Sequence, residues 1–138
     1  MFLLLVGCAS RADSSKRGAT SDAWYGSTVS QLAEIDRSAE ELFRLGRSDE
    51  AAALIQKGQP LMNRLLSVPR PTLEATEAAS DLDELYGRML LANRHYGWAR
   101  LLFQKNLSRW TNWRPTTPET DRRFRRAADE IAECDRHL

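Results

Sequence analysis

The sequence is poor in the residues that build metal and redox sites. Its 138 residues include two cysteines and two histidines, and Cys8 and Cys134 lie near opposite ends of the chain. No CxxC or Cys/His spacing of the kind that binds zinc occurs. Neither His95 nor His137 stands in a catalytic motif such as GxSxG or HExxH. We therefore expect no metal and no cofactor, and we do not expect an enzyme.

Strand patterns and an excess of charge of one sign are also missing. No run of alternating β-branched and aromatic residues between turn signals occurs, which argues against a sheet. There are 20 Lys and Arg against 19 Asp and Glu, a formal net charge of +1. The overall charge therefore gives no indication of a nucleic-acid partner. The length suits one domain with a modest core, alone or with a tail.

Long apolar runs are absent as well, and the longest one at the N-terminus covers residues 2–6. A membrane-spanning helix needs about 20 such residues, and a secretory signal needs roughly 7 to 15 after a basic residue. The run ends in LVGC, residues 5–8, which resembles the lipobox of bacterial lipoproteins. In that family the cysteine sulfur carries a diacylglycerol. The resemblance implies that Cys8 is lipidated and that Ala9 behind it directs the protein to the outer membrane.

The residues after the lipobox fit this interpretation. Residues 9–22 are mostly polar or small, as in a flexible tether. We therefore expect a signal segment at 1–8, a tether at 9–22 and a folded domain at 23–138. The missing basic residues predict an in-frame start a few codons upstream. The alternative is an apolar tail with a cysteine there by chance.

The expected domain is a series of helices. Apolar residues recur at helical spacing and predict helices at about 23–45, 48–68, 72–93, 95–110 and from 117 onward. Stop and capping residues support these bounds: Gly46 after the first helix, Ser48 and Thr72 as N-caps of the second and third, and Thr117 with Pro118 at the start of the fifth. Pro60, inside the second helix, predicts a kink or break near Gly58 and Gln59.

The chain also resembles itself at a spacing of 48 residues. The aligned pairs are Ala39 with Gly87, Leu42 with Leu90, Ala51 with Ala99, Leu54 with Leu102, and Ile55 with Phe103. Such self-similarity indicates stacked helical hairpins. The segment AEELFRLGRSDEAAALIQKG resembles the tetratricopeptide repeat, and the resemblance extends over about residues 33–107. It departs from that family in its spacing, which is about 34 residues in the family, and in having two visible units.

This resemblance implies an all-α fold with two tetratricopeptide-like helical hairpins and a C-terminal capping helix. A closed bundle of four or five helices is the alternative. Members of the family bind peptides or helices in a groove lined by the first helix of each hairpin. We therefore expect the corresponding groove along the first and third helices.

Two groups of residues are candidate sites. The first is an aromatic group that would contact a ligand or a partner, or else fill the joint between helices four and five: Tyr96, Trp98, Trp110 and Trp113. The second lies in a stretch from Arg88 to Arg126 with ten basic and two acidic residues. Its members would contact anionic lipid, or else form a solvated face neutralised by acids on other helices: Arg109, Arg114, Arg122, Arg123, Arg125 and Arg126.

Together these patterns predict a lipid-anchored protein of the cell envelope, on the outer membrane and facing the periplasm. It would act as a scaffold or adaptor for another envelope protein, with the membrane as its second partner and no nucleic acid. The first alternative is a helical bundle that binds a small ligand at the aromatic group. An enzyme of unknown reaction ranks third.

Overall fold

Five α-helices follow one another in residues 18–138, the part of the chain that this computed structural model describes. After a short 3-10 turn at Ala19–Ser21 come α1 (Ala23–Arg44), α2 (Ser48–Leu66), α3 (Leu73–Ala92), α4 (Tyr96–Asn112) and α5 (Pro118–Asp135). Those residues contain no strand. The all-α prediction is thus confirmed. The predicted signal segment, with Cys8, and most of the predicted tether lie outside the described residues.

Local capping sets several of the helix ends. The Thr72 hydroxyl accepts a hydrogen bond from the backbone N–H of Ala75 at 3.2 Å, and Thr117 forms a reciprocal capping box with Thr120. Both caps satisfy N–H groups that lack an intrahelical partner. The prediction of Ser48 as a cap is wrong by one residue. Arg47 holds the cap position and Ser48 is the first residue of α2.

Of the kink or break expected near Gly58 and Gln59, the break is absent. α2 continues through Pro60 to Leu66. Proline removes one backbone hydrogen bond and leaves the carbonyl of Gln56 without its helical donor. Gln56 and Pro60 both lie on the exposed side of α2, so a carbonyl without a helical donor is not buried there. The opposite side is buried at Ile55, Met62 and other residues, and this packing holds the helix together.

The helices form two antiparallel hairpins and a final helix. α1 pairs with α2, α3 pairs with α4, and α3 also packs against α1 and α2, while α5 packs along α4. Tyr25, 2% exposed, ties the first three helices together. Its hydroxyl donates to the backbone oxygen of Leu65 at 3.2 Å and accepts from the backbone N–H of Thr72 at 3.3 Å.

The two hairpins repeat each other in backbone conformation at the spacing of 48. Their turns have positive φ at equivalent residues, 78° at Gly46 and 64° at Arg94. In each turn the residue after the one with positive φ donates its backbone N–H to the carbonyl oxygen of the residue five positions earlier. These hydrogen bonds run from Arg47 to Leu42 and from His95 to Leu90, both at 2.8 Å. The turn of the second hairpin thus has the same left-handed conformation, although Arg94 stands there in place of a glycine.

The interiors of the two hairpins repeat as well, except at one pair of positions where a larger residue is matched by a smaller one. Ala51 and Ala99 are both fully buried. Phe103 takes the place of Ile55, and its ring fills the space that a side chain at position 87 would need. A Cβ built on Gly87 would lie 2.5 Å from the Phe103 ring. The larger ring therefore requires glycine where the first hairpin has Ala39.

Candidate functional site

A groove crosses the faces of α1, α3 and α5. It includes a cavity of about 280 Å³ that is lined by residues of all three helices. The cavity walls carry four acids and three arginines and one leucine: Asp36, Arg37 and Glu40 from α1, Asp81, Glu84, Leu85 and Arg88 from α3, and Arg126 from α5. The groove therefore includes α5 in addition to the two helices that the repeat predicts.

Asp36 is the most unusual side chain of this cavity. It is 9% exposed, and neither carboxyl oxygen has a hydrogen-bond partner. Burial is the main cause that raises its pKa to about 8, and the nearby charges of Asp81 and Asp83 add to the effect. Arg37 and Arg123 act in the opposite direction but more weakly. At neutral pH this acid is therefore mostly protonated and electrically neutral.

The other charged side chains of the cavity are engaged in ion pairs. Arg88 contacts Glu40 across the two hairpins and lies 3.2 Å from Glu84. Arg126 reaches Glu84 from α5 at 3.3 Å. Burial raises the pKa of Glu84, although the two arginines oppose the change. These contacts join α1, α3 and α5 through side chains that line the groove.

A second cavity of about 760 Å³ extends the groove along α5 and shares Arg126 with the first. Arg122, Arg125 and Arg136 line it together with acids that include Glu130. Burial and the charge of Glu84 raise the pKa of Glu130 to about 7. Each of α1, α3 and α5 thus contributes to this groove one carboxyl group whose pKa is raised by burial.

The predicted aromatic group is not one cluster. Trp110 is buried and donates its indole N–H to the Ser80 hydroxyl on α3 at 3.0 Å. Trp113 meets it edge-on, with ring centroids 6.3 Å apart. Tyr96 stacks on His137 at the other end of α4, and Trp98 is 67% exposed. The structure brings Trp110 and Trp113 together at a helix joint and leaves the other two apart.

The predicted basic group is largely paired with acids. The five arginines with carboxylate partners are Arg109 with Asp83, Arg122 with Glu119, Arg123 with Glu77, Asp81 and Glu119, Arg125 with Asp121, and Arg126 with Glu84. Arg114 donates to the backbone oxygens of Thr111 and Trp113. Acids on α3 and α5 thus neutralise much of the positive charge concentrated in this part of the sequence.

Sequence reasoning missed Asp36, although a signal was present. Leu32, Asp36 and Ala39 stand at spacings of four and three residues, so they share one face of α1. Leu32 and Ala39 are fully buried. An acid between two such residues on an apolar face indicates a buried carboxyl group, which is rare without a partner.

Membrane and metal features can be described for residues 18–138 only. No helix in that part of the chain is both long and apolar enough to cross a membrane. In the same residues no three His, Cys, Asp or Glu side chains converge as metal ligands would. Comparisons with protein-family models, with curated proteins and with solved structures find no match to this chain.

Proposed function

We propose that this protein is a lipid-anchored scaffold or adaptor that binds another protein of the cell envelope in the groove across α1, α3 and α5. The observation that carries the proposal is the groove itself, whose walls combine ion pairs with a buried, unpartnered carboxyl group at Asp36. Polar groups of this kind give specificity for a partner more than they stabilise the fold.

The hairpin architecture supports this function. Two stacked hairpins with a 48-residue repeat present α1 and α3 side by side, as the resemblance to tetratricopeptide repeats implies. In that family the equivalent surface holds an extended peptide or a helix. The groove here has room for such a segment, because its two adjoining cavities measure about 280 and 760 Å³. The mixed charges of its walls suit a polypeptide segment better than a purely apolar ligand.

The membrane part of the proposal comes from the lipobox resemblance at Cys8. A lipid on this residue holds the helical domain at the outer membrane, facing the periplasm, without a spanning helix. Stable anchoring needs more than one acyl chain or a second signal. Radioactive palmitate should label the wild-type protein in cells and should not label the Cys8→Ala variant. Equal labelling of the two proteins would contradict the lipid anchor.

Site-specific photo-crosslinking in cells tests the binding surface. A photoreactive amino acid replaces Glu40, which lines the groove, or Gln56, an exposed residue of α2 outside it. The matched positions distinguish groove contact from random collision. We expect a discrete protein adduct from position 40 and none from position 56. Equal adducts at both positions, or none in the groove, would contradict the proposed function.

A further inference from the structure

Among the described residues that line the central cavity, Asp36 is the one carboxyl group without a partner. Glu40 and Glu84 are paired with Arg88, and Asp81 is paired with Arg123 at 2.8 Å. Both oxygens of Asp36 are shielded from solvent and make no hydrogen bond. A buried polar group in this state destabilises the folded chain unless something satisfies it. A group that forms hydrogen bonds with Asp36 would enter through the cavity beside it.

The charge balance of the cavity indicates the charge of the group that would bind Asp36. The walls carry four acids, Asp36, Glu40, Asp81 and Glu84, against three arginines. With Asp36 protonated the charges balance, and with Asp36 ionised one negative charge is left over. Counted over these lining residues, entry of one cation keeps the balance only if Asp36 loses its proton at the same time.

The number of free ligands indicates the kind of cation. A divalent ion such as Ca²⁺ takes six or more oxygen ligands. Here each neighbouring carboxylate that lines the cavity is paired with an arginine, and Asp36 is the one lining carboxyl group with neither oxygen paired. A single carboxylate suits a monovalent ammonium or guanidinium group, which donates hydrogen bonds to it. We infer that Asp36 receives a lysine or arginine side chain of the protein that binds in the groove, an inference that rests on the proposed function.

Two of the arginines that line this cavity with Asp36 are largely exposed. Arg37 and Arg126 have exposed side-chain fractions of 68% and 58%. Arg37 is paired with Glu34 on the surface of α1, and exposed ion pairs of this kind contribute about 1 kcal/mol or less. Movement of Arg37 therefore costs little when a partner side chain enters the cavity that it lines.

Binding of the cation is coupled to a proton. In the free protein Asp36 holds a proton at neutral pH, since burial and the acids Asp81 and Asp83 on α3 raise its pKa to about 8, while Arg37 on α1 and Arg123 on α5 oppose this. When the cation enters, the O–H bond of the carboxyl group breaks and the proton passes to water. The carboxylate then accepts hydrogen bonds from the cation. Affinity should therefore rise with pH, about tenfold per pH unit below pH 8.

Carbon-13 NMR of the full chain, with labelled aspartate side-chain carboxyl carbons, tests the inference. The probes are n-butylguanidinium and n-butylammonium, with neutral n-butyramide as the control. We expect saturable binding of either cation, a shift of the Asp36 carboxyl signal to its ionised position, and a dissociation constant that falls about tenfold per unit from pH 6 to 7.5. Butyramide should leave the signal unchanged.

The Asp36→Asn variant is the matched control, because it keeps the size of the side chain and removes its charge. Its backbone amide signals in the cavity should not respond to either cation. Equal responses in both proteins, equal binding of butyramide, or no saturable binding by the wild type would each overturn the inference. Crosslinking from position 40 separates the two proposals. An adduct that persists unchanged in the Asp36→Asn background leaves the groove function standing and overturns the role of Asp36.

Discussion

The pH dependence of folding stability gives the sharpest prediction about Asp36. Its pKa rises from 3.8 to about 8 on folding, so the folded state keeps a proton that the unfolded state loses above pH 4. The sign follows directly: the stabilising contribution of this proton is fully present below pH 4 and is lost as pH rises towards 8. The slope is about 1.4 kcal/mol per pH unit, and the whole effect is about 6 kcal/mol as an upper estimate.

The Asp36→Asn variant removes this titration and keeps the shape of the side chain. We expect the variant and the wild type to have similar free energies of unfolding near pH 4. Above that the variant should become progressively more stable than the wild type, by several kcal/mol at pH 8. Glu130 also titrates with a raised pKa, of about 7, but it is present in both proteins, so the difference isolates Asp36.

Urea unfolding at intervals of half a pH unit between pH 4 and 8.5, followed by circular dichroism, measures that difference. The slope of free energy against urea should be the same for both proteins, which ensures that the comparison concerns stability. Parallel pH profiles for variant and wild type would refute the reasoning, since they would mean that Asp36 is solvated or paired in the folded state.

Three further predictions concern the hairpins, each measured by urea unfolding. Gly87→Ala should lower stability by about 1 to 3 kcal/mol because its Cβ would lie 2.5 Å from the Phe103 ring. Adding Phe103→Ile to this variant should restore part of the loss. The control Gly97→Ala, where the space is open, should not be destabilising. Arg94→Gly should raise stability by up to about 1 kcal/mol, since φ is 64° there, and a decrease would contradict the strain. Tyr25→Phe should cost about 1 to 3 kcal/mol, because it removes both hydrogen bonds of the hydroxyl group; a neutral effect would show that neither bond contributes.

The sequence predicts the features of this fold that arise within a few residues. The caps at Thr72 and Thr117 and the turn at Gly46 were predicted correctly, because each acts on backbone groups within one helical turn. The repeat at a spacing of 48 predicts the second turn as well, even though Arg94 stands at the position that corresponds to Gly46. A break at Pro60, one of the two outcomes predicted there, is wrong, since burial along the other side of α2 outweighs one lost hydrogen bond.

The site depended on contacts between helices, which local patterns do not contain. Asp36 lacks a partner because the arginines around it are engaged by acids from α1, α3 and α5, and this follows only from how the helices pack. The aromatic residues were grouped by proximity in sequence. Trp98 and Trp110 are 12 residues apart, about 120° around α4, and this spacing already argued against one shared surface.

The acidity of Asp36 in the free protein tests the central claim most directly, because the claim is that the groove holds a buried carboxyl group without a partner. Its side-chain carboxyl carbon can be followed by NMR from pH 3 to 9 and assigned by its loss in the Asp36→Asn variant. The structure predicts a titration midpoint at about 8. A midpoint near the ordinary value of 3.8 would contradict the account, because it would show that the carboxyl group is already satisfied without a partner protein.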